Sequence, residues 1–407
     1  MNRIAITGMG AVTPIGVNVA EFWKNLTSGL SGIGRLDRFT NEEIPVRVAA
    51  QIRNFKADEH MPRRLAKDSS LFAQYAFAAA REALGQSGID TGSEAERTGV
   101  TMGTSMSGVV DIAATQEEMT RSGENKVSPR FVPKILGNIA AAQIAIEYGL
   151  RGPSMTVSTA CASGGDAIKL AMMLLRSGEA DTMLAVGAES IICPLVVSSL
   201  SMAKALSREE DPSLACRPFD IRRNGFVMGE GGGALVLETE EHAKARGARI
   251  LGYVLAAANN NDAYHVTSPA ADGHGARACM KEALKMSGLA AADIGYINAH
   301  GTSTPVGDSI EISAIKDVFA GCTPAVSSTK AATGHMMGAG GITEVISCVL
   351  ACSEGTLPAT LNTSEIDPAC SGVDIITGDA RKCPVKAAMS NAFGFGGQNS
   401  SIIVSAE

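Results

Sequence analysis

The chain has 407 residues, 45% of them hydrophobic and 19% charged, with a formal net charge of −7. That much apolar material supports a core of two or three domains, or of one large duplicated unit. The acidic balance, with no basic stripe, argues against nucleic acid or an anionic membrane as partner.

In chain order, residues 3–9 (RIAITGM) read as a buried strand. Glycines and Pro14 then break the apolar run, so the start reads as strand and turn rather than as a signal peptide. No apolar run of about 18 residues occurs, so no membrane-spanning segment is expected. Residues 69–88 carry apolar positions at helical spacing and stop at Gly88. Residues 98–105 read as a strand, and 127–149 as a loop and helix. Residues 154–160 read as a strand that leads into a helix from Cys161 to about Arg176, with Gly178 as its stop. Residues 181–189 are the next strand, and a glycine cluster after Gly225 and Phe226 leads into another at 234–238.

The second half follows a similar order: a strand at 249–259, a helix at 275–288, a strand and loop at 293–303, and a helix at 340–355. Gly394 to Gly397 then lead into a strand at 401–405. This alternation predicts an α/β fold with a largely buried sheet. The repeated order predicts a duplication, with halves 1–250 and 251–407 packed as one body and joined near residues 239–250.

The nine cysteines are Cys161, Cys193, Cys216, Cys279, Cys322, Cys348, Cys352, Cys370 and Cys383. Their odd number and the lack of any C-x-x-C argue against a disulfide framework or a zinc site, and make a reducing cytosol the expected compartment. Gly229 to Ala234 fits the letters of a dinucleotide fingerprint, but a strand follows it where a helix is required. No P-loop occurs. Ser327 to Lys330 spells S-x-x-K without the partner motifs of an acylating serine enzyme.

Lys330 sits in a nearly uncharged stretch, so a carboxylate is expected beside it, with Glu344 the nearest downstream candidate. His60 and His242 read as surface residues, His274 as a loop residue, and His265 as part of a polar loop that could border a cleft. His300 and His335 lie among small residues at element ends, where function concentrates in α/β folds. Cys161 at a helix start would have its thiol pKa lowered by the free N–H groups and the helix dipole. These local features leave open whether Cys161 is a buried thiol or a nucleophile, and whether Cys161, His300 and His335 bind a metal.

Taken together, TACASG (159–164), NAHGTSTPVGD (298–308), SSTKAATGHMMGAGG (327–341) and NAFGFGGQN (391–399) resemble the elongating β-ketoacyl-acyl-carrier-protein synthases. RPFDIRRNGFVMGEG (217–231) and DAYHVTSP (262–269) are similar to that family as well. The resemblance implies a thiolase fold, with two like halves in a five-layered α-β-α-β-α arrangement, working as a cytoplasmic homodimer on substrates carried by acyl carrier protein. It implies a Cys161–His300–His335 site supported by Lys330 and Glu344, with the N–H groups of Cys161 and Phe395 as an oxyanion hole. Thr302 and Thr304 would bind the pantetheine arm. The loops bearing His265, Thr267 and Ser268, and Gly394, Gly396 and Gly397, would gate entry with Phe395. Met106 and Leu200 would shape the acyl pocket. No metal or other cofactor is implied beyond the carrier's phosphopantetheine. Gln398 stands where many fatty-acid synthases have threonine, which leaves a type II polyketide or aryl-polyene ketosynthase as the alternative. A thiolase-fold protein that binds carrier protein without condensing is the more distant one.

Overall fold

The computed structural model describes residues 3–40 and 42–406. The first half supplies strands β1 (Ile4–Val12), β2 (Thr98–Gly103), β3 (Ser154–Val157), β4 (Thr182–Glu189) and β5 (Gly231–Thr239). Helices α1 (Leu71–Ser87), α2 (Ile139–Tyr148) and α3 (Ser163–Arg176) connect them. The second half supplies β6 (Gly252–Asn261), β7 (Ile294–Asn298), β8 (Ala325–Ser327), β9 (Ala387–Gly394) and β10 (Gln398–Ser405). Its matching helices are α4 (His274–Ser287), α5 (Gly307–Val318) and α6 (Gly340–Glu354).

The two sets obey one topology. Outward from the middle, the first half runs β1-β5-β4-β2-β3 and the second β6-β10-β9-β7-β8, with a short strand Asp374–Ile375 beyond β8. In both, the first two pairings are antiparallel and the next two parallel. The halves meet where β1 pairs antiparallel with β6, Ile4 opposite Val254. Helices α1 and α2 cover one outer face and α4 and α5 the other. Helices α3 and α6 lie between the halves, each touching strands of both. This is the duplicated five-layered α-β-α-β-α thiolase fold. Both faces of the sheet are covered, which is why β1 and β4 are buried along their whole length.

Glycine sets the layer spacing where backbones approach most closely. A Cβ at Gly10 would lie 1.9 Å from the carbonyl oxygen of Ala79, so α1 packs on β1 only because that position has none. In the middle layer a Cβ at Gly164 would lie 2.7 Å from the carbonyl oxygen of Gly338, and one at Gly341 would lie 2.6 Å from the nitrogen of Gly165. The starts of α3 and α6 therefore cross in near backbone contact.

Several expectations shift. The strand before Cys161 ends at Val157, and α3 starts at Ser163 rather than at Cys161. The intervening residues Ala160–Ala162 form a 3-10 turn, because Ala160 takes a left-handed conformation at φ +50° that no α-helix can contain. The glycines Gly231 to Gly233 are strand residues of β5, placed where α1 and α6 press on the sheet, rather than a turn before it. His274 opens α4, with Nδ1 2.8 Å from Asp272. His242 is held between Glu238 (2.7 Å) and Glu94 (2.9 Å) rather than lying free on the surface.

Candidate active site

Cys161 sits in the turn between β3 and α3, at the base of a cavity of about 290 Å³, and only 8% of it is exposed. The turn is braced by Ser163, whose Oγ donates to the carbonyl of Ala160 (2.7 Å) and accepts from the N–H of Thr159 (2.9 Å). Gly394 packs against it from β9; a Cβ there would lie 2.9 Å from the carbonyl oxygen of Thr159. The backbone N–H of Phe395 faces the Cys161 sulfur.

Two histidines complete the base. His335 follows the helical turn Lys330–Thr333 and is fixed by its own backbone: its N–H donates to the carbonyl of Val227 (2.7 Å), and its carbonyl accepts from Gly229 (2.9 Å). That strand-like clamp puts Nε2 3.0 Å from Cys161 Sγ. His300 stands beyond the end of β7. The N–H groups of His300 and Gly301 both donate to the Glu311 carboxylate of α5, at 2.8 Å each. The rings of His300 and His335 meet edge-on with centroids 5.2 Å apart. One ligand-type atom from each of Cys161, His300 and His335 falls within 4.8 Å of the others, a spacing that would also suit a metal ion.

Lys330, expected to need a carboxylate, donates to Glu344 of α6 at 2.5 Å, both side chains almost fully buried. The Lys330 ammonium acts on the whole base of the site. Burial holds both imidazoles well below the usual histidine range, and the cation pushes them further down. For Cys161 the expected lowering by a helix dipole is overturned. Burial pushes the thiol up to about 11, which Lys330 and the Phe395 N–H only partly offset. The cause is the water-poor base of the cavity, where a bare thiolate is expensive.

Of the remaining candidates, Thr267, Ser268, Thr302, Thr304, Gly394, Phe395 and Gly397 line the cavity. Phe395 is 39% exposed at its mouth. Gly396 lies outside the lining, tying two loops together: its N–H donates to Val266 (2.6 Å) and its carbonyl accepts from Asn261 (2.8 Å). His265 is exposed and turned into its own loop, where Nδ1 accepts from the N–H groups of Thr267 (3.1 Å) and Ser268 (3.2 Å). Leu200, on the helix Pro194–Met202, does not line the cavity but shares an apolar cluster with Cys161 and Met337. Met106 is 40% exposed and away from the cavity, its N–H engaged by Glu189.

Three site residues escaped the sequence reading: Glu311, Asp308 and Met337. Burial pushes Glu311 up to about 7 and Asp308 to about 6, against the backbone N–H groups each accepts. Met337 lines the cavity with Sδ 3.8 Å from Cys161 Sγ. Asp308 closes the motif 298–308 and Glu311 follows it in α5, so their spacing to His300 was visible but their inward direction was not.

The chain matches the family descriptions "Beta-ketoacyl synthase, N-terminal domain" over residues 1–243 and "Beta-ketoacyl synthase, C-terminal domain" over residues 251–364. It is 39% identical to a 3-oxoacyl-[acyl-carrier-protein] synthase 2 of Staphylococcus aureus, covering 98% of this chain and 97% of that one. It is 41% identical to the protein of the same description in Vibrio cholerae, covering 98% of each. Among solved structures it superposes with a TM-score of 0.88, at 32% identity, on a ketosynthase of a type II polyketide synthase in complex with its acyl-carrier protein, covering 100% of this chain and 99% of that one. The chain belongs to the β-ketoacyl synthase family, the acyl-transferring condensing enzymes.

Proposed function

We propose that the enzyme joins an acyl group, carried first by acyl carrier protein and then by Cys161, to malonyl-(acyl carrier protein). The products are 3-oxoacyl-(acyl carrier protein), CO₂ and free carrier protein, as in fatty-acid elongation. The observation that carries this reading is the Cys161 sulfur 3.0 Å from His335 Nε2, with His300 alongside at the base of one cavity.

In the first half-reaction the Cys161 sulfur attacks the acyl thioester. The N–H groups of Cys161 and Phe395 stabilise the tetrahedral oxyanion, and the thiol proton ends on the departing pantetheine sulfur. In the second, malonyl-(acyl carrier protein) enters and its C–CO₂ bond breaks. The electron pair passes to an enolate whose oxygen accepts from Nε2–H of His300 and His335. Both rings are held neutral, and neutral donors suit an oxygen that is anionic only in passing. The enolate carbon attacks the acyl carbonyl, the C–S bond breaks, and Cys161 regains a proton from the medium, one per turnover. Lys330 and Glu344 orient the base of the site. Thr302 and Thr304, whose hydroxyls lie 3.1 Å apart on the cavity wall, are placed to meet the amides of the pantetheine arm. Thr267 and Ser268 on one loop and the glycines Gly394, Gly396 and Gly397 around Phe395 on the other frame the mouth, with Phe395 as the door. His265 shapes the first loop, Leu200 acts on the acyl chain from behind the cavity wall, and Met106 bears on it only through the loop that Glu189 holds. The reaction draws on no metal or nucleotide.

We place the enzyme in a reducing cytosol, in keeping with nine free cysteines and with no helix among the described residues long and apolar enough to cross a membrane. We also propose that it works as a homodimer through the edge of the first half, where Met106, Ile112, Val132, Leu136, Ile146 and Met155 are all exposed. The second reading, a type II polyketide ketosynthase with the same chemistry, is favoured by Gln398 at the start of β10, directly after the mouth loop, and by the polyketide neighbour.

Mass spectrometry of the protein incubated with carrier-linked acyl chains of graded length tests the assignment. Wild type gains one acyl group at Cys161, with a length cutoff set by the pocket. Cys161→Ala gains none, and continued condensation by that variant would sink the mechanism. His300→Ala and His335→Ala accept the acyl group but fail to decarboxylate malonyl-carrier, while Cys161→Gln decarboxylates without condensing. If neither histidine variant changes malonyl turnover, the donor roles are wrong.

A further inference from the structure

The turns that precede α3 and α6 are copies of one another. Each opens on a non-glycine residue in left-handed conformation, Ala160 at φ +50° and Met337 at φ +47°. Each forms a 3-10 turn, Ala160–Ala162 and Met337–Ala339, that runs directly into its helix. In each the third residue's N–H donates to the carbonyl just before the turn, Ala162 to Thr159 and Ala339 to Met336, both at 3.0 Å. This register puts Gly338 where the first half has Cys161.

Such a helix start leaves N–H groups unpaired and favours an anion. At Cys161 the space beside the turn opens into the cavity. At Gly338 the space is filled by the carboxylate of Glu189, completely buried at the end of β4, which accepts from the Gly338 N–H at 3.3 Å. The same carboxylate accepts from the N–H groups of Ser105 (2.6 Å) and Met106 (3.2 Å) and from the hydroxyls of Ser105 (2.5 Å) and Thr104 (3.1 Å). All five contacts are donors, the pattern that suits an ionised carboxylate; burial pushes the Glu189 carboxyl up, and the Ser105, Met106 and Thr104 donors pull against that push. The fit is tight: a Cβ at Gly338 would lie 2.9 Å from Glu189 Oε2.

We propose that Glu189 is a positioning residue for the condensation, an internal anion seated in the duplicate of the nucleophile turn. It clamps the Met337–Gly338 turn to the Thr104–Met106 loop and so fixes the apolar wall against which the acyl group on Cys161 must lie. Met337 is that wall where it touches the nucleophile, its sulfur 3.8 Å from Cys161 Sγ. The charge of Glu189 also bears on Cys161, adding to the upward push on the thiol. An amide cannot replace the carboxylate, because its NH₂ would face N–H donors.

The proposal rests on the ketosynthase reading, and its test separates the two. In Glu189→Gln, acyl transfer from carrier to Cys161 falls on the order of ten- to a hundredfold. The dependence on chain length changes with it, and alkylation of Cys161 by iodoacetamide moves to lower pH because a nearby negative charge is gone. Ser105→Ala, which removes one donor and keeps the anion, gives a smaller change in transfer rate and chain-length profile and leaves the alkylation pH in place. A folded Glu189→Gln enzyme with wild-type transfer rate, length profile and alkylation pH overturns the proposal. Should Glu189→Gln fail to fold, an unchanged length profile in Ser105→Ala overturns it instead. Wild type that takes no acyl group at Cys161 would overturn the ketosynthase reading itself.

Discussion

Cys161 rests as a neutral thiol. Its pKa, raised from 9.0 to about 11, means the folded enzyme binds this proton more tightly than the unfolded chain does. The resulting stability is fully present below the unfolded value and is lost as pH rises through the folded one. The histidines carry the opposite sign. His335, held well below 6.5, contributes stability above that value, which is lost as pH falls toward its folded pKa. Reactivity follows the same logic. The iodoacetamide alkylation rate of Cys161 in the free enzyme should climb through alkaline pH, with no plateau at about pH 7. Replacing Lys330 by Met should move the curve further up, because that cation is the main force pulling the thiol down. A plateau already reached near neutrality would show that the resting nucleophile is a thiolate, and the order of proton transfer written above would have to be reversed.

At the scale of elements, the site depends on how α6 and the turn Lys330–Thr333 are held together. The Lys330–Glu344 pair joins them with side chains 2% and 5% exposed, so neither charge has water to fall back on. Lys330→Met should therefore destabilise the fold by about 3–5 kcal/mol, mostly by stranding the Glu344 carboxylate. Glu344→Leu should cost a similar amount, and the double variant should recover much of the loss. Urea unfolding of the four proteins checks this; strictly additive losses would mean that the pair is not coupled. This pairing was legible in the sequence because an unpaired lysine in an uncharged stretch demands a carboxylate, and Glu344 was the nearest one downstream. Most strands and helices of each half were legible along the chain too, since buried strands and their following helices announce themselves by period and by stop glycines, but their order in the sheet was not. What lay beyond reach depends on contacts between the halves. Glu189 ends a strand like any other until the Gly164–Gly341 crossing brings Gly338 beside it. The left-handed turn at Ala160 delays α3 by two residues without any glycine to signal it. The thiol pKa went the other way because a helix start can be recognised from sequence, whereas the depth of the cavity beneath it cannot.

The sheet of the whole molecule ends in two edges, the short strand Asp374–Ile375 beyond β8 and the longer β3. Duplication closes the middle, where β1 meets β6, but leaves β3 as the outermost strand of the first half, paired only with β2. An exposed strand edge is a template for another chain, and this one is flanked by apolar side chains: Met155 on the strand is 44% exposed and Ile146 on the adjoining α2 is 80% exposed. A second copy related by a two-fold axis would pair β3 with its own image and cover both residues at once, since a two-fold interface meets itself. Met155→Lys should then yield monomers at concentrations where wild type sediments as a dimer. Its melting temperature should also lose the dependence on protein concentration that an obligate dimer shows. The Thr104–Met106 loop adjoins the end of β3, where the Thr104 N–H donates to the carbonyl of Val157 (3.3 Å), so a partner paired on β3 would also cover the exposed Met106. Monomers should therefore also lose chain-length selection in the acylation assay. A Met155→Lys protein that keeps the wild-type mass in sedimentation would place the interface elsewhere. One that becomes monomeric yet keeps its length cutoff would leave the acyl pocket complete within a single chain.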